Sequence, residues 1–403
     1  MNQFTRIDLV DYAGICRGKF YHKNILKSKK IEIADCFTHF LMNDSLLPDV
    51  STKILPFIIN QNKNKIRHFA EISDPDQQFK DSRLICKRAF EELSEKYDLT
   101  LAVGIEYEFF VESGNEKSES NNYQLNGMNS NLDINHPAYT LLSKNIDRLN
   151  DLGVNIRSFH KEYHANQYEV ALNHEFGLHA ADQAFYFRTT MKESGGKNVT
   201  FLPVFNDNHT GLYSSAHYNF SVWKLNKKKK YNEAEPDLDK HTYFLKGLLE
   251  NTKALLPIFC PTKYCWNRLQ QENNWAPSAI EAKRNSKETG YNICDNRIEV
   301  RYPSSCASPY LVVAAIIYCG IEQMESLENS EQVLATNLDD LQRNDYGGLP
   351  KNMEHSLKCF SENWMVSRRF SENFVDFYSK MIRANLEEFE KSENTVEKLK
   401  NYI

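Results

Sequence analysis

The sequence predicts an α+β fold: a small strand-rich N-terminal domain, residues 1–73, and a larger domain, residues 74–403, in which a sheet is flanked by helices. Three observations predict it. Residues 1–73 alternate short β-patterns with polar turns, as in TRIDLVDYAGICRGKFY. Four later segments alternate apolar and polar residues with the period of two that puts side chains on opposite faces of a strand. Between and after them lie long apolar or amphipathic helical patterns. A chain of 403 residues, 41% hydrophobic and 26% charged, is long enough for a large core and two domains.

The elements follow in order. DPDQQFKDSRLICKRAFEELSEKYD starts with Asp74 as a cap before Pro75 and runs into a helical pattern, which sets the boundary near 73. The first alternating strand, VGIEYEFFVE, covers Val103 to Glu112. ESGNEKSESNNYQLNGMNSN is polar and low in complexity, a surface loop. A helix from about Pro137 to Asp151 precedes a strand pair around NIRSFHKEYHANQYEVAL. Helix 180–194 leads into NVTFLPVF and then the alternating SSAHYNFSVW. Helix 238–258 precedes an irregular region, 261–296; the strand NRIEVRYP and an apolar helix from Ser308 come next, and amphipathic helices continue from Leu349. There is no internal repeat.

Several functions are excluded. A formal net charge of −5 gives no electrostatic footprint for nucleic acid. The most apolar run, Leu311 to Ile321, is half the ~20 residues a membrane span needs. MNQFTRIDLV carries no basic-then-apolar leader, and nine scattered cysteines suit reduced thiols, so a cytoplasmic protein is expected. Lys227 to Lys230 reads as a solvated loop. GICRGKF lacks the spacing and the Ser or Thr of a phosphate-cradling loop, and the histidines of HEFGLH are five apart where a zinc helix needs four.

The four alternating segments share one feature. Glu106 and Glu108 lie on one face of the first strand; Glu162 and Glu169 flank a short turn in the second; His217, Asn219 and Ser221 share a face in AHYNFSVW; Arg297, Glu299 and Arg301 share one in NRIEVRYP. A single alternating glutamate reads as the solvent face of an antiparallel sheet, and a lone histidine as structural. If the four strands share a curved sheet, however, one face is apolar core and the other a cavity with five glutamates and a histidine. Two carboxylates about 5 Å apart repel by roughly 3 kcal/mol at an effective dielectric near 20. Two divalent cations would offset that charge, and carboxylates with one imidazole suit Mg²⁺ or Mn²⁺ better than zinc or copper. The arginines would bind an anionic substrate.

At these residues the sequence resembles the glutamine synthetase family across nearly the whole chain. GIEYEFF resembles its Glu-x-Glu strand, and Glu162, Gln167 and Glu169 its E-x-x-x-x-Q-x-E element. AHYNFS is similar to the end of N-G-x-G-x-H-x-[HN]-x-S, PTKYCWNRL to P-T-x-N-S-Y-K-R-L, and RIEVRYPSSCASPYL to R-I-E-x-R-x-P-x-x-x-x-N-P-Y-L. The resemblance implies an N-terminal β-grasp domain, a catalytic domain with a curved antiparallel sheet, and rings of subunits with active sites at their boundaries. It implies one metal at Glu106, His217 and Glu299, a second at Glu108, Glu162 and Glu169, and two or three ions per site. It puts ATP against Asn219, Ser221, Arg284 and Lys287, the acid substrate against Arg268 and Arg301, and Asp11 in a neighbouring subunit's site. The reaction it implies is activation of a carboxylate by ATP and its capture by an amine.

Three departures refine this expectation. The flap glutamate before Ala-Pro in the family is replaced by Trp275, which argues against ammonia and for an amine with an apolar body contacting Trp275. Leu212-Tyr213 replaces an Asn-Gly, with Ser215 in place of a glycine, which argues against glutamate itself and for a close analogue, although both substrate arginines remain. The R-N-R-x-x-x-x-R segment is reduced to Arg284 and Lys287, so that either Lys283, Lys287 or Arg297 compensates or phosphoryl transfer is impaired, and Ser308 replaces the asparagine of Asn-Pro-Tyr. The expected function is ATP-dependent ligation of glutamate to an amine other than ammonia. The rivals are an inactive structural or regulatory ring and, third, an ammonia-using enzyme.

Overall fold

The computed structural model describes residues 3–47, 53–60, 67–112, 137–164, 166–209, 213–226, 235–270, 275–328, 338–342, 344–391 and 393–403. Most of the polar stretch after Val111, the four lysines from Lys227 and Leu212 lie outside the described residues.

Residues 4–72 form a five-stranded sheet of β1 (Phe4–Asp8), β2 (Lys19–His22), β3 (Lys30–Ala34), β4 (Ile54–Asn60) and β5 (Arg67–Ile72), in the order β2-β1-β5-β4-β3 with β1 and β5 parallel. Alternation in β4 sends Leu55, Phe57 and Ile59 to one face, where they meet Ile7, Ile31, Ile33 and Ile72 in a small core. The other face lies on the rest of the chain, with Phe69 stacked on Tyr186 at 5.1 Å.

The expected helix from Asp74 is divided. Asp74 caps only a 3₁₀ turn, Pro75–Lys80; Asp81 is extended and caps α1 (Ser82–Tyr97) through Leu84 N–H. The chain then enters β6 (Leu99–Val111), followed by α2 (Pro137–Asp151), β7 (Ile156–Lys161), β8 (Gln167–Leu172), β9 (Glu175–Phe176), α3 (Leu178–Gly195), β10 (Val199–Thr200), β11 (Ala216–Lys224), β12 (Glu235–Pro236) and α4 (His241–Phe259). The region expected to be irregular holds α5 (Lys263–Leu269), β13 (Ala282–Arg284) and β14 (Tyr291–Ile293) before β15 (Ile298–Val300). Strands of three residues carry too little alternation to be read from sequence; β14 is a strand because it pairs with β15. The chain closes with α6 (Pro309–Glu328), α7 (Leu338–Leu341), α8 (Met353–Glu362), α9 (Trp364–Phe370), α10 (Glu372–Lys391) and α11 (Thr395–Leu399).

The second sheet has ten strands along the path β13-β14-β15-β11-β6-β8-β7, with β9 and β10 paired to β6 and β12 to β11. The four alternating strands singled out in the sequence are thus consecutive neighbours. Their apolar sides (Ile105, Tyr107, Phe109, Tyr168, Tyr218, Phe220) are fully buried, and Tyr107 stacks on Phe187 of α3. Behind, α4 and α6 pack closely because of two glycines: a Cβ on Gly247 would stand 2.3 Å from the Cys319 carbonyl oxygen, and one on Gly320 would stand 2.4 Å from the Phe244 ring. Among the described residues no helix is long and apolar enough to cross a membrane.

Candidate active site

Strand register assembles the site. His217 on β11 lies opposite Glu106 on β6, Glu108 opposite Glu169 on β8, and Glu169 opposite His160 on β7, while Glu299 on β15 faces Asn219, two residues from His217. Directly opposed residues share a face. All five glutamates and His217 therefore line one cavity of about 710 Å³, with Arg268, Arg301, Trp275 and Lys287 on its other walls.

The distances are short. His217 Nδ1 is 3.4 Å from both a Glu106 and a Glu299 oxygen, and His217 Nε2 is 4.0 Å from Glu108. His160 Nε2 is 3.0 Å from Glu162 and its Nδ1 is 3.9 Å from Glu169. Two groups each bring one ligand atom per residue within 4.8 Å of one another: Glu106, Glu169 and His217, and His160, Glu162 and Glu169. Glu169 belongs to both. The grouping differs from the one the resemblance implies because other donors engage the remaining two carboxylates. Glu108 accepts from Ser215 N–H and Oγ–H, both at 2.9 Å, and from Gln167 at 3.0 Å. Glu299 accepts from Asn292 at 2.8 Å and Arg301 at 2.5 Å.

Burial and crowding act together on these acids. Burial, then Glu106, Glu108, Glu162 and Glu299, push the Glu169 carboxyl up to about 9. Glu108 is also raised, chiefly by burial, against the pull of His217. Glu299 is lowered: burial works upward but is outweighed by His217, Arg301 and the Asn292 hydrogen bond. The arrangement stores negative charge with a shortage of counter-charge, and hard divalent cations fit its donor set of carboxylate oxygens and imidazole nitrogen.

The guanidinium wall is equally specific. Arg268 donates to the backbone oxygens of Arg301 and Tyr302, and Arg301 to Glu299 and to the Trp275 carbonyl oxygen at 3.3 Å. The Nε of each is buried without a hydrogen-bond partner among the described residues. Both arginines line the cavity, so an anion there would meet their positive charge.

Four residues expected at the site do not line this cavity. Asp11 is buried in its own subunit, accepting from Arg17 Nε at 2.9 Å and from the N–H groups of Ala13 and Ile15. Ser221 shares the polar face of β11 but lies opposite Ala102, where its Oγ accepts from Trp223 Nε1. Arg284 is exposed on the edge strand β13. Asn219 bridges two lining residues: Arg297 Nε donates to its Oδ1 at 2.8 Å, and its Nδ2 donates to Glu106 at 3.2 Å. His160, Tyr163 and Asn292 line the cavity without having been singled out in the sequence. The signal for His160 was its place two residues before Glu162.

Residues 79–402 match the model of the glutamine synthetase catalytic domain. The chain belongs to the glutamine synthetase family. Among curated relatives, lengsin from dog is 26% identical over 93% of this chain and 66% of its own length, so the chain spans just under two thirds of that relative; human lengsin is 26% identical over 93% and 74%. The glutamine synthetase of Mycolicibacterium smegmatis is 24% identical over 88% of this chain and 84% of its own. Solved structures share the fold: a GmaS chain in an ADP complex at TM-score 0.73, 19% identical, covering 97% of this chain and 95% of that one, and Plasmodium falciparum glutamine synthetase at 0.73, 17% identical, covering 97% and 94%. The fold is of the glutamine synthetase type, with the curled sheet and strand-rich N-terminal region that the motifs implied.

Proposed function

We propose that this protein is an ATP-dependent ligase that joins glutamate, or a close carboxylate analogue, to an amine other than ammonia. The observation that carries the reading is the cavity itself, lined by five glutamates and a histidine together with two arginines. Glu106, His217 and Glu299 would hold one Mg²⁺ or Mn²⁺, and Glu108, Glu162 and Glu169 a second, with His160 beside Glu162. Bound there, such ions would neutralise charge on the phosphates of ATP. Arg268 and Arg301 grip the acid substrate by its α-carboxylate. Its side-chain carboxylate oxygen attacks the γ-phosphorus, ADP leaves, and the amine nitrogen then attacks the acyl carbon with loss of phosphate. The proton the amine loses leaves on an oxygen of the departing phosphate. The ADP-bound GmaS structure of like fold supports a nucleotide in the same fold. Arg297, which lines the cavity and is tied to Glu106 through Asn219, supplies a cation in place of the degenerate segment around Arg284.

Trp275 argues for the choice of nucleophile. It occupies the position of the family's flap carboxylate, and an indole can neither accept a proton from ammonium nor pair with it as a carboxylate does. The resemblance also leads us to place the chain in a homo-oligomeric ring, and its nine free thiols suit the cytoplasm. A second reading, an inactive ring protein, is favoured by Arg284, which is exposed and away from the cavity. The test is mass spectrometry of the purified chain with Mg²⁺ or Mn²⁺, ATP, glutamate and acid analogues, and a pool of amines. A new amide mass, matched by ADP and absent with Glu299→Ala, is expected. No ADP under any condition would leave the inactive ring as the reading.

A further inference from the structure

We infer that the amine taken by this site is a monoamine with an aryl or alkyl body, seated against Tyr163 and Trp275, and that Lys287 turns away amines bearing a second cation. The inference rests on the amide-forming reading above and narrows it.

Tyr163 directly follows Glu162, and its ring meets Trp275 edge to face, with centroids 5.3 Å apart and planes at 88°. Lys287 Nζ lies 5.9 Å from the Trp275 ring centroid. All three line the same cavity as the glutamates. Arg301 Nη2 donates to the Trp275 carbonyl oxygen, which ties the flap backbone to an arginine of the acid-binding wall. The Trp275 side of the mouth is thereby held next to the place where the acyl carbon would sit. Yet Trp275 remains 50% exposed. The result is a pair of crossed aromatic rings with open apolar surface, beside the reaction centre and not under it. Burying that surface needs a ligand with an apolar body attached to its reacting nitrogen.

Charge excludes the alternatives. Ammonia offers nothing to cover the rings. A diamine or polyamine would bring a second ammonium to the Trp275–Tyr163 pair, and there it would meet Lys287, which is already in reach of the indole. Among the described residues lining the cavity the only carboxylates are the five glutamates, all of them already assigned to ions and to the reacting groups. A distal cation would therefore find a like charge and no acid of its own.

The experiment compares pentylamine, benzylamine and 1,5-diaminopentane with the full-length protein, Mg²⁺, ATP and glutamate. Each rate is divided by the rate with hydroxylamine, a small nucleophile that reports the activated acyl group alone. The kcat/KM of pentylamine should exceed that of the diamine by about tenfold or more, the scale set by one mismatched group in a specific pocket. Lys287→Gln should bring the two to within about threefold by removing the like charge. Tyr163→Ala should lower the benzylamine-to-hydroxylamine ratio by about tenfold, with Tyr163→Phe restoring it. Hydroxamate formation with equal use of monoamine and diamine would overturn the inference and leave the ligase reading standing. If neither hydroxamate nor ADP forms, the ligase reading falls, and calorimetric titration of the same amines into the protein decides the inference. Tighter binding of pentylamine than of the diamine, weakened by Tyr163→Ala, would uphold it; equal or no binding would overturn it.

Discussion

Trp275 stands where the family motif carries a glutamate, and the proposed choice of nucleophile turns on it. Its ring is half exposed, while its backbone is held by Arg301. Trp275→Glu should therefore change what the mouth attracts without moving the flap. The variant's ratio of ammonia to amine turnover, measured as glutamine against amide by mass spectrometry, should rise by roughly tenfold, below the 10²–10⁴ of a fully positioned proton acceptor. An unchanged ratio would mean that Trp275 does not select the nucleophile. The glutamates were legible because a strand repeats every two residues, so Glu106 and Glu108 had to share a face. Parity does not give position along the strand. Ser221 obeys the same parity as His217 yet lies four residues further along β11, opposite Ala102. His160 shares the parity of Glu162 and lies opposite Glu169, but the register shift between Ile156 and Ser158 puts the start of β7 out of phase with this polar face, so the strand as a whole shows no clean alternation.

At the scale of elements, Asp81 joins the two parts of the chain. Its Oδ1 caps α1 through Leu84 N–H, and its Oδ2 accepts from Ile72 N–H at the end of β5. Burial pushes this carboxyl up to about 6, although both N–H groups pull it down. A folded-state value above the unfolded one of about 4 makes the charged form costly, so Asp81 contributes most below pH 4 and progressively less as pH rises through 6. Asp81→Asn does not titrate. The wild type should gain about 2 kcal/mol on the variant between pH 7.5 and pH 4.5, read from urea denaturation at both values. A gap independent of pH would show that the carboxylate is not buried in this way. The same residue explains a misreading of the sequence. Asp74 and Asp81 both precede helical turns, and only the folded contact with Ile72 shows which of them starts the long helix. Long apolar and amphipathic patterns, such as α4, α6 and α10, were legible because their period is sustained; β13 and β14 were not, because three-residue strands exist only through their partners.

At the scale of the whole molecule, the N-terminal sheet is the feature that a single subunit leaves incomplete. Register puts Phe4, Arg6 and Phe20 on the same face as Arg67, Phe69 and Glu71, and Glu71 opposes Ile58 on β4, which shares that face with Ile54. The middle of the face is covered, since Phe69 packs on Phe185 and Tyr186 of α3. Its two flanks are not: Phe4 is 52% and Phe20 68% exposed on one side, Ile54 59% and Ile58 44% on the other. Apolar side chains overhanging a covered centre on both edges are what a closed assembly of identical subunits would bury, because each subunit then offers one flank to each neighbour. Beneath the covered centre Arg6 and Arg67 pair with Asp8, and Arg6 also with Glu193, while the β4 flank carries exposed Lys30 and Glu32 opposite Ile58 and Pro56. The protein should therefore sediment as a large homo-oligomer, and Phe20→Asp with Ile58→Asp should shift it to small species by placing a charge on each flank. If ligation needs a site shared between subunits, turnover per subunit should fall with the loss of assembly while binding of Mn²⁺, measured by calorimetry on the dissociated variant, persists, since the five glutamates and His217 all come from one chain. An oligomer of unchanged mass in the double variant would put the subunit contacts elsewhere, and small species with full turnover would show that each subunit works alone.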